Sequence, residues 1–185
     1  VVGEIYIRSN PFGNEQLVRR LEEQGARVWL SSVSEWVLYV NFVLKRRARQ
    51  RRRWRELLRL VVVDFLQRRR LRALERAAGC EPEPEVDEVV RLASPSKLGW
   101  SQGEAILTVG RALDFARRGA CGIVSAMPFG CMPGTIAGSI LERLCRRRGV
   151  AWLNMVFDGQ GDLGGQVRLE AFMQQVRQRW STSAS

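Results

Sequence analysis

The chain has 185 residues, 45% hydrophobic and 26% charged, with a formal net charge of +11 and no histidine. That length supports one domain with a real core and leaves little room for a second. Its longest apolar run, Leu60-Val61-Val62-Val63, stops at Asp64, far short of the ~20 residues a spanning helix needs, so no membrane partner is expected.

Residues 2–7 alternate toward apolar and β-branched side chains and predict a strand. The opening Val1-Val2-Gly3-Glu4 has neither the basic nor the long apolar region of a secretory leader. It starts almost inside that strand without an initiator Met, which suggests a piece of a longer chain. Ser9-Asn10-Pro11-Phe12-Gly13-Asn14 is a turn-rich loop, and Asn14 is placed to cap a helix over 15–24 that Gly25 ends. A short strand over 27–30 completes a parallel crossover. Ser34 predicts the cap of a helical stretch over 35–78, long enough to expect two or three helices. Cys80-Glu81-Pro82-Glu83-Pro84 breaks it, and a short helix over 86–92 follows. Helices over 102–118, 134–148 and 166–179 then alternate with strands over 122–126 and 151–157. Residues 181–185 read as a disordered tail.

The order βαβ, helical insertion, αβαβα predicts an α/β domain over 1–180. It is a three-layer doubly wound parallel sheet of about four strands, flavodoxin-like in the order 2-1-3-4, with an Arg-rich helical insertion over 44–98. Such sheets bind ligands at the carboxyl ends of their strands, where the strand order reverses. Two unusual loops converge there, one carrying Asn10 and Phe12, the other Cys131.

Pro128-Phe129-Gly130-Cys131-Met132-Pro133-Gly134-Thr135 holds two prolines and two glycines around one thiol. A helix starting near Gly134 would aim its positive end at Cys131 and favour a thiolate, a nucleophile, redox thiol or iron ligand. A tight turn around a buried cysteine is the plainer alternative. The four cysteines, at 80, 121, 131 and 145, have no CxxC spacing. With no leader, they point to a reducing, cytoplasmic setting. Asp158-Gly159-Gln160 follows the last strand, so Asp158 either meets a ligand or caps a turn. Arg8 is placed to pair with an anionic group or with Asp158. Glu35 and Glu104 sit near helix starts and read as structural. The glycine-rich 159–165 lacks the Lys of a phosphate loop and reads as flexible.

The stretches 103–110, 127–135, 154–160 and 168–172 resemble the C-terminal part of acyl-CoA dehydratase-activase related proteins, relatives of the 2-hydroxyacyl-CoA dehydratases. Gly3-Glu4-Ile5-Tyr6-Ile7-Arg8, Asn10-Pro11-Phe12 and Ser34-Glu35-Trp36 resemble the same family's opening strand and second helix. The resemblance leaves out 44–98. It implies a flavodoxin-like fold and a [4Fe–4S] cluster held by cysteines from more than one domain, with Cys131 as the one ligand that falls on a matching motif here. It further implies low-potential electron transfer to a substrate such as an acyl-CoA. The partners would be other domains of the same polypeptide or a dehydratase or activase. Asn10, Phe12 and Asp158 would shape the pocket. One thiol cannot hold a cluster, so an isolated domain would be incomplete and non-catalytic. Cys80, Cys121 and Cys145 match no motif, and the last two read as core.

The charge is local. Residues 45–76 contain 14 Lys or Arg against 3 Asp or Glu and carry the whole excess. Arg46, Arg47, Arg49 and Arg51 to Arg53 are able to contact phosphates, with Trp54 stacking on a base, or to face an acidic partner. The preferred reading is a solvated helix face. It places Trp54, Leu57, Leu58, Val61, Phe65 and Leu66 inward and the arginines outward, and makes nucleic acid an unlikely partner.

Overall fold

A computed structural model describes residues 1–79, 82–96, 98–99, 103–160 and 163–183. Cys80, Gln102, Gly161 and Asp162, which figured in the sequence reading, lie outside them, as does the end of the tail. The described chain is α/β, with a three-stranded parallel sheet in the order β1-β2-β3 and eight α-helices. The strands are β1 (Val2–Gly3), β2 (Gly122–Pro128) and β3 (Ala151–Phe157). Pairing runs from Gly122 opposite Ala151 to Pro128 opposite Phe157, and β1 adds Val2 opposite Ser125 and Gly3 opposite Ala126.

The helices are α1 (Ile5–Ser9), α2 (Leu17–Glu23), α3 (Ser34–Gln50), α4 (Trp54–Ala77), α5 (Val86–Ala93), α6 (Glu104–Arg117), α7 (Met132–Arg147) and α8 (Leu163–Ser183). They cover both faces of the sheet. On one face Val2 and Ile123 join Leu38 and Phe42 of α3, Val89 of α5, Ile106 and Val109 of α6, and Leu141 of α7. On the other, Val124, Ala126, Met155 and Phe157 join Leu17 and Leu21 of α2 and Leu169 and Phe172 of α8. The alternation of Ile123 and Val124 between the two cores is the period-2 consequence of a strand buried on both sides.

The opening strand is shorter than the pattern over 2–7 suggests. Gly3 adopts φ 117°, which ends the extended run. The Glu4 carboxylate then accepts the amide protons of Tyr6 and Ile7 at 3.1 and 2.8 Å and starts α1 in its place. A short first strand has a further effect. The 27–30 segment is not a strand, and only Val1 remains for it to meet. The Val1 nitrogen donates to the Trp29 carbonyl, and the Ser31 amide donates to the Val1 carbonyl. Asn14 was expected to cap the next helix, but Glu15 and Gln16 take positive φ, delay the helix to Leu17 and put Gln16 in the cap position, while the Asn14 Oδ1 still accepts from Leu17 N.

Two helices fill the long basic stretch, broken at 51–53, where Arg52 takes φ 54°. The orientation of α4 departs from the sequence reading. Asp64 faces inward, accepting from Lys45 at 2.7 Å and from Arg68 at 2.9 Å. Trp54, Leu58, Val61, Phe65 and Leu66, expected inside, are exposed, and Leu57 is half-buried. The reason is packing: α4 rests on α3 along one side and nothing among the described residues covers the other. Burial opposes ionisation of Asp64, but the bonds from Lys45 and Arg68 outweigh it and hold its carboxyl below the usual range. No described helix is long and apolar enough to cross a membrane.

Candidate functional site

The carboxyl ends of β2 and β3 open into a cleft of about 640 Å³. Pro128 and Phe129 form one wall, and Phe157, Asp158, Gly159 and Gln160 another. Ile7 and Gly13 close it from the first loop. Ile7 and Gly13 of the first loop thus share the cleft with the loops after β2 and β3, whereas Cys131, expected there with Asn10 and Phe12, is not among its lining residues. Asn10 and Phe12 are not among the lining residues. The Asn10 Oδ1 accepts from the amides of Phe12 and Gly13 at 3.0 and 3.2 Å, a turn that shapes the loop. Phe12 is 93% exposed. Asp158 caps the turn that was one of its two expected roles. It lines the cleft and its Oδ1 accepts from Gln160 N at 2.9 Å. Ile7, Gly13 and Phe157 carry no motif that marks them as site residues. The signal for them is positional, since each lies in or beside a loop at this edge of the sheet.

Cys131 stands one turn beyond Phe129. Phe129 N donates to Phe157 O, extending the β2–β3 pairing by one bond. Cys131 N then donates to Pro128 O across a turn whose third residue, Gly130, takes φ 74°, the geometry that favours glycine there. Cys131 is the N-cap of α7, with Pro133 in the first turn. Its Sγ accepts from Gly134 N at 3.4 Å. Cys131 is half-buried and is not among the residues that line the cleft. Gly134 has no room for a side chain, since a Cβ there would come within 2.5 Å of Met127 Sδ and 3.2 Å of Cys131 Sγ.

Arg8 does not face this cleft. It is buried and donates to the carbonyls of Gly3 and Ser32 at 2.8 and 2.9 Å, so neither Asp158 nor an anion in the cleft is its partner. Its burial lowers its pKa. Glu104 is structural, its Oε1 accepting from Ile5 N at 3.3 Å. Glu35 is buried inside the helical layer, 3.4 Å from Arg111 Nε. Arg111 also meets Asp114 at 2.9 Å and Glu83 at 3.8 Å, and lies over the Phe115 ring.

Burial pushes Glu35 up to about 8, against the pull of Arg111 and Arg8. A carboxyl raised on folding contributes stability that is fully present below its ordinary value of 4.5 and is lost as pH rises through about 8. The wild-type protein should therefore lose stability relative to Glu35→Gln between about pH 5 and about pH 9. Urea midpoints at the two ends measure this, and a gap that stays constant with pH would rule out Glu35 as the titrating group.

A second cavity of about 590 Å³ lies at the opposite, amino end of the strands, lined by Trp29, Phe115, Cys121, Ile123, Met173 and Trp180 among others. Cys121 is thus half-buried at a cavity rather than core, whereas Cys145 is buried, its thiol pushed up to about 11 by burial. No three Cys, Asp or Glu side chains converge on a metal position among the described residues. Among the described residues no set of donors fits a complete [4Fe–4S] cluster, and Cys131 offers a single thiol.

Comparison with protein-family models, with curated proteins and with solved structures gives no match to this chain.

Proposed function

We propose that this chain is a flavodoxin-like domain that contributes Cys131 as one ligand to a shared [4Fe–4S] site of the kind found in 2-hydroxyacyl-CoA dehydratase and activase relatives. The observation that carries the reading is the seat of the thiol. Cys131 caps α7 two residues beyond Phe129 of the cleft wall, with the Gly134 amide donating to its sulfur. Asp158, Gln160 and the Asn10 turn would shape the cleft beside it, where an acyl-CoA or another acceptor of electrons would lie. The cluster, once completed by a partner domain or a dehydratase or activase partner, would supply low-potential electrons, and the domain's own part is to hold one ligand.

The test uses a small dithiol to stand in for the missing ligands. The protein is incubated anaerobically with ferrous iron, sulfide and dithiothreitol, then desalted. Iron and visible absorbance should be retained by the wild-type protein and by Cys121→Ala, and should fall to background in Cys131→Ala. Equal iron in all three would overturn the assignment.

A second reading, an interaction module that docks an acidic partner through the Arg-rich helices, is favoured by the exposed apolar side of α4.

A further inference from the structure

Helix α4 is inside out. Toward α3 it presents Asp64, 7% exposed, held by Lys45 and Arg68, and Gln67, which accepts from Asn41. Away from α3 it presents Trp54, Leu58 and Phe65, 63%, 66% and 62% exposed, with Val61, Val62 and Leu66 also exposed. An ordinary surface helix does the reverse. Residues 54, 58, 61 and 65 step by four, three and four, which is the spacing of a coiled-coil seam. An apolar patch on the order of several hundred Å² marks an interaction surface.

Charge identifies what covers it. The segment 45–76 carries the chain's entire excess of +11. Its three acidic side chains are all engaged: Asp64 as above, Glu56 with Arg53, and Glu75 accepting from Glu83 N. The field over the seam is therefore positive. A second copy would set one such segment against another. A bilayer with anionic headgroups matches the charge but not the layout. Projected at 3.6 residues per turn, Arg69 falls between Leu58 and Val62, and Arg55 between Val62 and Leu66. Both arginines are exposed within the apolar arc. Sinking that arc into hydrocarbon would bury guanidinium groups, whereas a helix with carboxylates beside its own seam would pair with them.

We infer that the outward face of α4 docks an acidic amphipathic helix whose apolar residues repeat every three and four positions. This deepens the second reading above and is independent of the cluster. The probe is a labelled peptide of about four heptads with Leu at both seam positions and Glu on the flanks, too acidic to pair with itself. Fluorescence anisotropy with the full chain should show saturable binding that weakens with added salt. Scrambling the peptide's leucines off the seam should weaken binding at least tenfold, and so should Leu58→Glu or Phe65→Glu, whose circular dichroism should stay unchanged because both side chains are exposed. Three results would overturn the inference. Equal binding of repeat and scrambled peptides means charge alone. Binding to phosphatidylserine–phosphatidylcholine vesicles, abolished by Phe65→Glu, without peptide binding means a lipid surface. A concentration-dependent dimer abolished by Phe65→Glu means a second copy. Loss of peptide binding would leave the iron test of Cys131 untouched, and the converse holds.

Discussion

Replacing Arg111 by Met should cost ~3–5 kcal/mol, the usual penalty for removing one partner from a buried charge cluster. The Arg111 side chain is 4% exposed and contacts three carboxyls, those of Glu35, Asp114 and Glu83, of which Asp114 also meets Arg118 at 3.7 Å. It joins α3, the segment before α5, and α6, so its loss is felt across the whole helical layer. Without it, Glu35, itself 3% exposed, keeps only the more distant attraction of Arg8. Asp114 and Glu83 are already raised by burial and held down mainly by Arg111. Met keeps much of the apolar stem and loses the guanidinium that lies over the Phe115 ring, so the loss reports charge more than volume. Urea unfolding at about pH 9, where Glu35 is ionised, of the single variants and of Arg111→Met combined with Glu35→Gln closes a double-mutant cycle. The combined variant should be more stable than the sum of the separate losses predicts, because neutral Gln needs no counter-charge. A loss under about 1 kcal/mol for Arg111→Met, or strictly additive losses, would show that the cluster is not a unit.

The elements legible in the sequence are those whose pattern and packing obey the same rule. The strand at 151–157 and the helix ends at Gly119 and Gly149 came through because short apolar and aromatic runs and terminal glycines act locally. The strand at 122–126 was foreseen two residues short, since Met127 and Pro128 continue the pairing opposite Val156 and Phe157. The opening was misread because Ile5, Tyr6 and Ile7 have strand propensity, and a single carboxylate, Glu4, outweighs it by capping two amides. Helix α4 was misread for a different reason. Its apolar spacing was real, but periodicity identifies a face without saying what the face meets. The cleft was legible as a place, the carboxyl edge of the sheet, and not as a set of side chains. Arg8 is the sharpest case. Its position in the sequence suggested an anion, but once α1 replaces the strand the side chain turns inward to two carbonyls.

Substituting Gly3 by Ala should cost ~3 kcal/mol or more and open the strand-end cleft. Two independent penalties add. The φ of 117° is one an L residue adopts at a cost of about 1–3 kcal/mol. A Cβ there would also lie 2.1 Å from the Ala126 carbonyl oxygen and 2.7 Å from the Ala126 nitrogen. Both are backbone atoms of β2, so no rotamer change relieves the overlap, and overpacking of that kind costs about 1–3 kcal/mol more. The pairing of β1 with β2 would have to part, including the bond from Glu4 N to Ala126 O at 2.9 Å. Because β1 has only two residues, there is no further length of strand to hold α1 in place. Ile7 and Gly13, the first-loop wall of the cleft, depend on that anchor. Gly25→Ala is the control, since Gly25 also has positive φ, 88°, but nothing within 4 Å of a new Cβ. It should cost only the conformational part, about 1–2 kcal/mol. Urea unfolding compares the two, and faster amide exchange at Glu4 and Ile5 in Gly3→Ala would report the parted edge. Equal costs for the two glycines would mean that the close approach of β1 to β2 does not constrain this site.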